Sequence, residues 1–132
     1  MLKNREIYEN ALRILAQSTV VGENEDYAER APYLIASFCT EALEINRHLC
    51  EALGKTPIED FERVWLPLEE NFPLLDRLAP IACLYVAAML ILDEDSETSD
   101  KLYARCCEKL AALWHEIPAI LQKIKDKYFT KN

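Results

Sequence analysis

The sequence predicts an all-α fold, a single domain over residues 1–132 with five or six helices packed around a central apolar helix. Three observations carry this. The chain has only two glycines, Gly22 and Gly54, where an average sequence holds roughly 7%. Sheets joined by tight hairpins need residues with positive φ, so this scarcity disfavours them. Leu, Ala, Glu and Lys, all good helix formers, dominate the composition. Finally, residues 78–92 form an uncharged apolar run in which the Tyr85 hydroxyl is the one strong hydrogen-bonding side-chain group. A chain of 132 residues that is 51% apolar is sized for one core.

The first helix is expected over residues 4–18. Asn4 is its candidate cap, and Ile7, Ala11, Leu12 and Leu15 recur at helical spacing. Gly22 and the following "ENED" break it, and those carboxylates suit the N-terminus of the next helix. Residues 26–53 hold the longest periodic segment, with Leu34, Ile35, Phe38, Cys39, Ala42, Leu43, Asn46, Leu49 and Leu53 in one stripe. Pro32 implies a short turn followed by a main helix starting near it, and Gly54 is the expected residue just past the end.

Pro57, Pro67 and Pro73 divide residues 55–75. Thr56 and Glu59 have capping-box spacing with Pro57 at the first helical position, which predicts one short helix over "TPIEDFERVW" and an irregular crossing after it. The apolar helix then starts with Asp76 as cap or Pro80 as first residue and runs to about Leu92. Its alanines (Ala82, Ala87, Ala88) let neighbours approach, while Leu84, Met89 and Leu92 fill volume. Ser96 or Ser99 caps the next helix, whose stripe is Leu102, Cys106, Leu110, Leu113 and Ile117. Pro118 either kinks it or starts a last amphipathic helix with Ile120, Leu121, Ile124 and Tyr128, where Lys123, Lys125 and Lys127 suit a C-terminus.

Charge and motif content exclude several functions. A net charge of −8 from 15 basic and 23 acidic residues disfavours nucleic acid and anionic membranes, both of which are held by Lys and Arg. At about 1.5 Å per residue, residues 78–92 span roughly 22 Å, short of the roughly 30 Å hydrocarbon layer. A helix apolar all round and too short to cross belongs in a bundle core. The N-terminal "MLKNREIYENALRIL" has no apolar signal core. Five cysteines, an odd number (Cys39, Cys50, Cys83, Cys106, Cys107), fit buried thiols in a reducing compartment. No CxxC, HxxxH, HExxH, GxSxG or phosphate-loop pattern occurs. The expectation is therefore no catalytic residues, no cofactor and no metal, in a protein that is not an enzyme.

Two groups stand out as candidate contact residues. Asp93, Glu94, Asp95, Glu97 and Asp100 follow the apolar helix directly. Read as a calcium loop starting at Asp93, they lack glycine at position 6 (Thr98) and glutamate at position 12 (Ala104). They suit the N-terminus of the next helix, or a partner-facing acidic patch. Phe61, Trp65 and Phe72 sit in the least regular segment, as loop anchors in the core or as aromatics that dock on a partner.

Three stretches, "NREIYENALRILAQ", "DRLAPIACLYVAAMLILDED" and "SDKLYARCCEKLAAL", together resemble small all-helical proteins encoded in the structural-gene clusters of tailed phages and prophages, the head–tail connector or adaptor class. In that class a short first helix is followed by a longer one, and an Ala-rich apolar helix leads into a "DxxxxxKLYxxY" stretch. The resemblance implies a structural or assembly role, carried out by protein–protein binding as a homo-oligomeric ring between portal and tail. It places the chain in the host cytoplasm and, once assembled, in the virion. It brings no catalytic residue and no marked contact residue with it. The alternative, from the residues alone, is a cytoplasmic helical regulatory or adaptor protein that binds a protein or small ligand through an apolar groove.

Overall fold

The computed structural model describes residues 1–129, with side chains as far as Lys123. Five α-helices follow one another: α1 (Asn4–Ser18), α2 (Tyr27–Glu41), α3 (Leu43–Leu53), α4 (Ala79–Ile91) and α5 (Ser96–Phe129), with one 3-10 turn at Asp76–Leu78 before α4. The described residues hold no β-strand, only an isolated antiparallel bridge between Lys3 and Asn71. Ile124, Lys125, Lys127 and Tyr128, expected on the last amphipathic face, have side chains outside the described ones.

Helix α4 is the centre of the bundle, as its composition dictates. Eleven of its thirteen residues are buried, and it packs against α1, α2 and α5. Pro80 takes the second helical position, where its missing N–H costs nothing. Leu92 does not fill the core as expected: it lies one residue past the helix and is 45% exposed.

The end of α4 explains how an apolar helix can stop inside the protein. The last four carbonyls of a helix lack intrahelical partners. Here Ser99 Oγ donates to the Ala88 oxygen at 2.7 Å. Arg30 on α2 donates to Met89 at 3.0 Å and to Leu90 at 3.4 Å. The Ile91 carbonyl accepts from the backbone N–H groups of Glu94 and Asp95. Neither serine caps α5. That role falls to Asp95, whose carboxylate accepts from the Thr98 N–H at 3.1 Å and the Thr98 hydroxyl at 2.6 Å.

Neither Pro32 nor Pro118 starts a new helix. α2 begins at Tyr27 and runs through Pro32 without a new start. The Ala28 carbonyl, which Pro32 deprives of its usual donor, belongs to an exposed residue. α5 likewise continues through Pro118; the corresponding carbonyl is that of Trp114, 40% exposed. The segment expected to be one long helix is instead bent at Ala42, where ψ is 4°. Hydrogen bonds persist across the bend, from Ala42 N to Phe38 O and from Asn46 N to Ala42 O. Gly54 closes α3 with φ 71°, the left-handed conformation glycine adopts without strain.

The short helix expected over residues 56–65 does not form, and the whole segment from Lys55 to Leu75 is irregular. Its backbone serves distant helices. Asn4 N donates to Glu70 O at 2.9 Å and Arg5 N to Leu68 O at 2.8 Å, so the crossing segment satisfies first-turn donors of α1 that have no partner within their own helix. Phe72 N donates to Leu2 O and Leu66 N to Pro32 O. Asn4 is therefore not the cap of α1. It lies inside the helix, fully buried, with its Nδ2 donating to Pro67 O at 2.9 Å. Leu66, Phe72 and Leu74 insert from this segment into the core, and the buried Asn46 accepts the Leu75 N–H at 2.9 Å where the chain turns towards α4.

Candidate functional site

The acidic turn between α4 and α5 divides into structural and exposed carboxylates. Asp95 is half-buried and fully used: besides capping α5 it accepts from the Thr19 hydroxyl at 2.8 Å, tying the end of α1 to the turn. These three donors hold its carboxyl below the usual aspartate range, the Thr98 hydroxyl contributing most. Glu94 accepts from Asn24 at 2.9 Å, and Glu97 pairs with Lys101 at 3.4 Å, both at the surface. Asp93, Glu94, Glu97 and Asp100 are exposed, and the exposed Leu92 sits beside them. Four of the five acids are thus exposed, in the same turn as one exposed apolar side chain.

The three aromatics singled out in the sequence separate. Phe72 is buried and Phe61 half-buried against the core, so both anchor the crossing segment. Trp65 is 44% exposed, and next to it Val64 is exposed as well. The bond from Leu66 N to Pro32 O brings this pair alongside Tyr33 of α2, which is also exposed.

A further surface was not anticipated. Tyr103, Cys107, Trp114 and Leu121 on α5 are exposed and Leu110 is half-buried, at intervals of four, three, four and seven residues. Such spacing lines one stripe of a helix. It runs beside the buried stripe of Leu102, Cys106, Leu113 and Ile117. The Tyr103 ring lies 6.5 Å from Tyr85, which bonds Ser37 at 2.9 Å. Trp114 tilts over His48 of α3 at 5.1 Å. The signal was in the sequence, one position on from the core stripe, and was masked by it.

On the opposite flank of α5 a groove of about 560 Å³ runs between α1, α4 and α5. Its floor is apolar, with Ile7, Ile14, Pro80 and Leu84, and its walls carry Arg13, Arg105 and Lys109 against the single acid Asp76. Cys83 also lines it, its thiol pushed up to about 11 by burial.

Among the described residues, no group of three or more His, Cys, Asp or Glu side chains could hold a metal ion. No described helix is long and apolar enough to cross a membrane. No family model matches the chain, and no curated protein or solved structure matches it significantly.

Proposed function

We propose that this protein is a structural or assembly component of a tailed phage or prophage, of head–tail connector type, that works by binding other proteins rather than by chemistry. The observation that carries the reading beyond the sequence resemblance is the α5 stripe. Tyr103, Trp114 and Leu121 are 41%, 40% and 49% exposed on a helix of 34 residues, about 51 Å long. Large aromatics set out along one rigid face are the residues that most often anchor protein interfaces. The partners are the portal or tail-side proteins, and the chain joins them in the host cytoplasm before incorporation in the virion. The test is co-expression with any portal and tail proteins found among the neighbouring genes, followed by affinity capture and size separation. A stable complex with the portal supports the reading; no complex with any neighbour refutes it.

The groove between α1, α4 and α5 favours a second reading, a regulatory or adaptor protein that holds an apolar ligand or peptide there. Its size falls in the range of ligand pockets. A neighbouring transcriptional regulator gene, with no portal, capsid or tail genes alongside, would favour it over the first.

A further inference from the structure

We propose that the acidic turn of one copy docks in the α1–α4–α5 groove of the next, so that copies associate head to tail. The inference deepens the connector reading and rests on the ring expected there. In a chain of net charge −8, the groove is a locally cationic place: Arg13, Arg105 and Lys109 stand over an apolar floor, against one acid, Asp76. The turn is its complement. Leu92 is exposed, and the exposed acids Asp93 and Glu94 follow it directly, with Glu97 and Asp100 exposed in the first turns of α5. An exposed apolar side chain followed by acids matches an apolar groove lined by cations in both hydrophobicity and charge, and such complementarity fixes partner and register.

Within one copy the turn is tied instead to Thr19 and Asn24, through Asp95 and Glu94. Glu97 and Lys109 stand twelve residues apart on one continuous helix, about 18 Å at the usual rise. The contact therefore joins two copies. Because the two surfaces differ, it is heterologous, and a heterologous contact either closes into a ring or continues as a filament. The groove's Arg105 and Lys109 lie on the other flank of α5 from the Tyr103–Trp114 stripe, which is left for a different partner.

Charge reversal tests this directly. In Arg105→Glu/Lys109→Glu the groove becomes acidic and repels the native turn. In Asp93→Lys/Glu94→Lys the turn becomes basic and repels the native groove. Sedimentation at low salt, up to about 1 mM chain, would populate even a millimolar contact. The wild type should self-associate and dissociate as salt rises. Each variant alone should associate at least about tenfold more weakly. An equimolar mixture of the two should recover the association, since every contact is then again between opposite charges. Circular dichroism melts establish that both variants fold, and reversal at the distant exposed pair Glu59→Lys/Asp60→Lys should change nothing. A monomeric wild type, a variant that associates like the wild type, or a mixture that stays dissociated would each overturn the proposal. Portal binding by the same proteins separates the two readings: a chain that is monomeric yet binds the portal removes this inference and leaves the connector role standing.

Discussion

The Arg30 guanidinium donates to the Met89 carbonyl at 3.0 Å, carrying a cation from α2 to the C-terminal end of α4. That end has no basic residue of its own and is followed by acids, an arrangement unfavourable to a helix dipole taken alone. Arg30 supplies the missing charge from elsewhere in the chain. Arg30→Ala should lower unfolding free energy by about 1.5–3 kcal/mol, the range for hydrogen bonds to a charged group. Urea titration of both proteins measures this, and Arg30→Lys should recover part of it. Unchanged stability would mean that water serves these carbonyls equally well.

The centre of the bundle should tolerate neither loss nor gain of volume. Leu90 and Ala87 are both fully buried in α4. Leu90→Ala should cost about 2–5 kcal/mol through lost burial and the cavity left behind. Ala87→Leu should cost about 1–3 kcal/mol by overpacking against the neighbouring helices. Thermal melts of the two variants give the comparison; a neutral Ala87→Leu would show that α4 is packed more loosely than its burial implies.

Stability should fall in acid partly through Asp95. The Thr98 hydroxyl and N–H and the Thr19 hydroxyl favour its charged form, so its folded pKa lies below the ordinary 3.8. The unfolded chain therefore binds the proton first as pH drops. The stabilisation is complete above the unfolded value and disappears as pH falls through the folded one. Asp95→Asn keeps a capping side chain but cannot titrate. Its unfolding free energy should be flatter with pH than the wild type's below about 4. Parallel curves for the two proteins would remove Asp95 from the account of acid unfolding.

Thiol reactivity should report the core. Burial pushes Cys39 and Cys106 up to about 12 and Cys83 up to about 11, and it raises Cys50 as well. Cys107 is the exposed one of the five. Since the thiolate is the reactive form, a disulfide reagent at mildly alkaline pH should titrate one thiol rapidly in the folded protein. The other four should follow only with global unfolding. Cys107→Ser should abolish the rapid phase; a second fast thiol would indicate local opening around α2, α3, α4 or the Cys106 side of α5.

Where sequence and structure agree, local rules were enough. Apolar spacing marked α1, the charge-free run marked α4, and Gly54 marked the end of α3. Where they part, a distant group decides. Thr56, Pro57 and Glu59 carry a helix-start signal, yet residues 56–65 stay irregular, and the chain just beyond them is tied to distant helices, Leu66 N to the Pro32 carbonyl and the Leu68 and Glu70 carbonyls to the Arg5 and Asn4 N–H groups. Asn4 has the chemistry of a cap but is drawn into the core by Pro67. Among Asp95, Ser96 and Ser99, all suited to capping, the choice goes to Asp95 because Ser99 is engaged by Ala88. The candidate site follows the same pattern. The acids were visible as a cluster, but which of them faces solvent depended on Thr19 and Asn24, seventy residues or more away. Which of Phe61, Trp65 and Phe72 stays exposed likewise depended on what the crossing segment covers.

The claim that the chain acts by binding through α5 is tested most directly by its affinity for any assembled portal found among the neighbouring genes, measured for the wild type and for Tyr103→Ala/Trp114→Ala. Both side chains are about 40% exposed, so the variant should fold with little loss of stability. The account predicts portal binding by the wild type and an affinity weakened at least about tenfold in the variant, the effect of removing interface anchors worth 1.4 kcal/mol or more in total. A wild type that does not bind the portal, or a variant that binds it equally well, would contradict it.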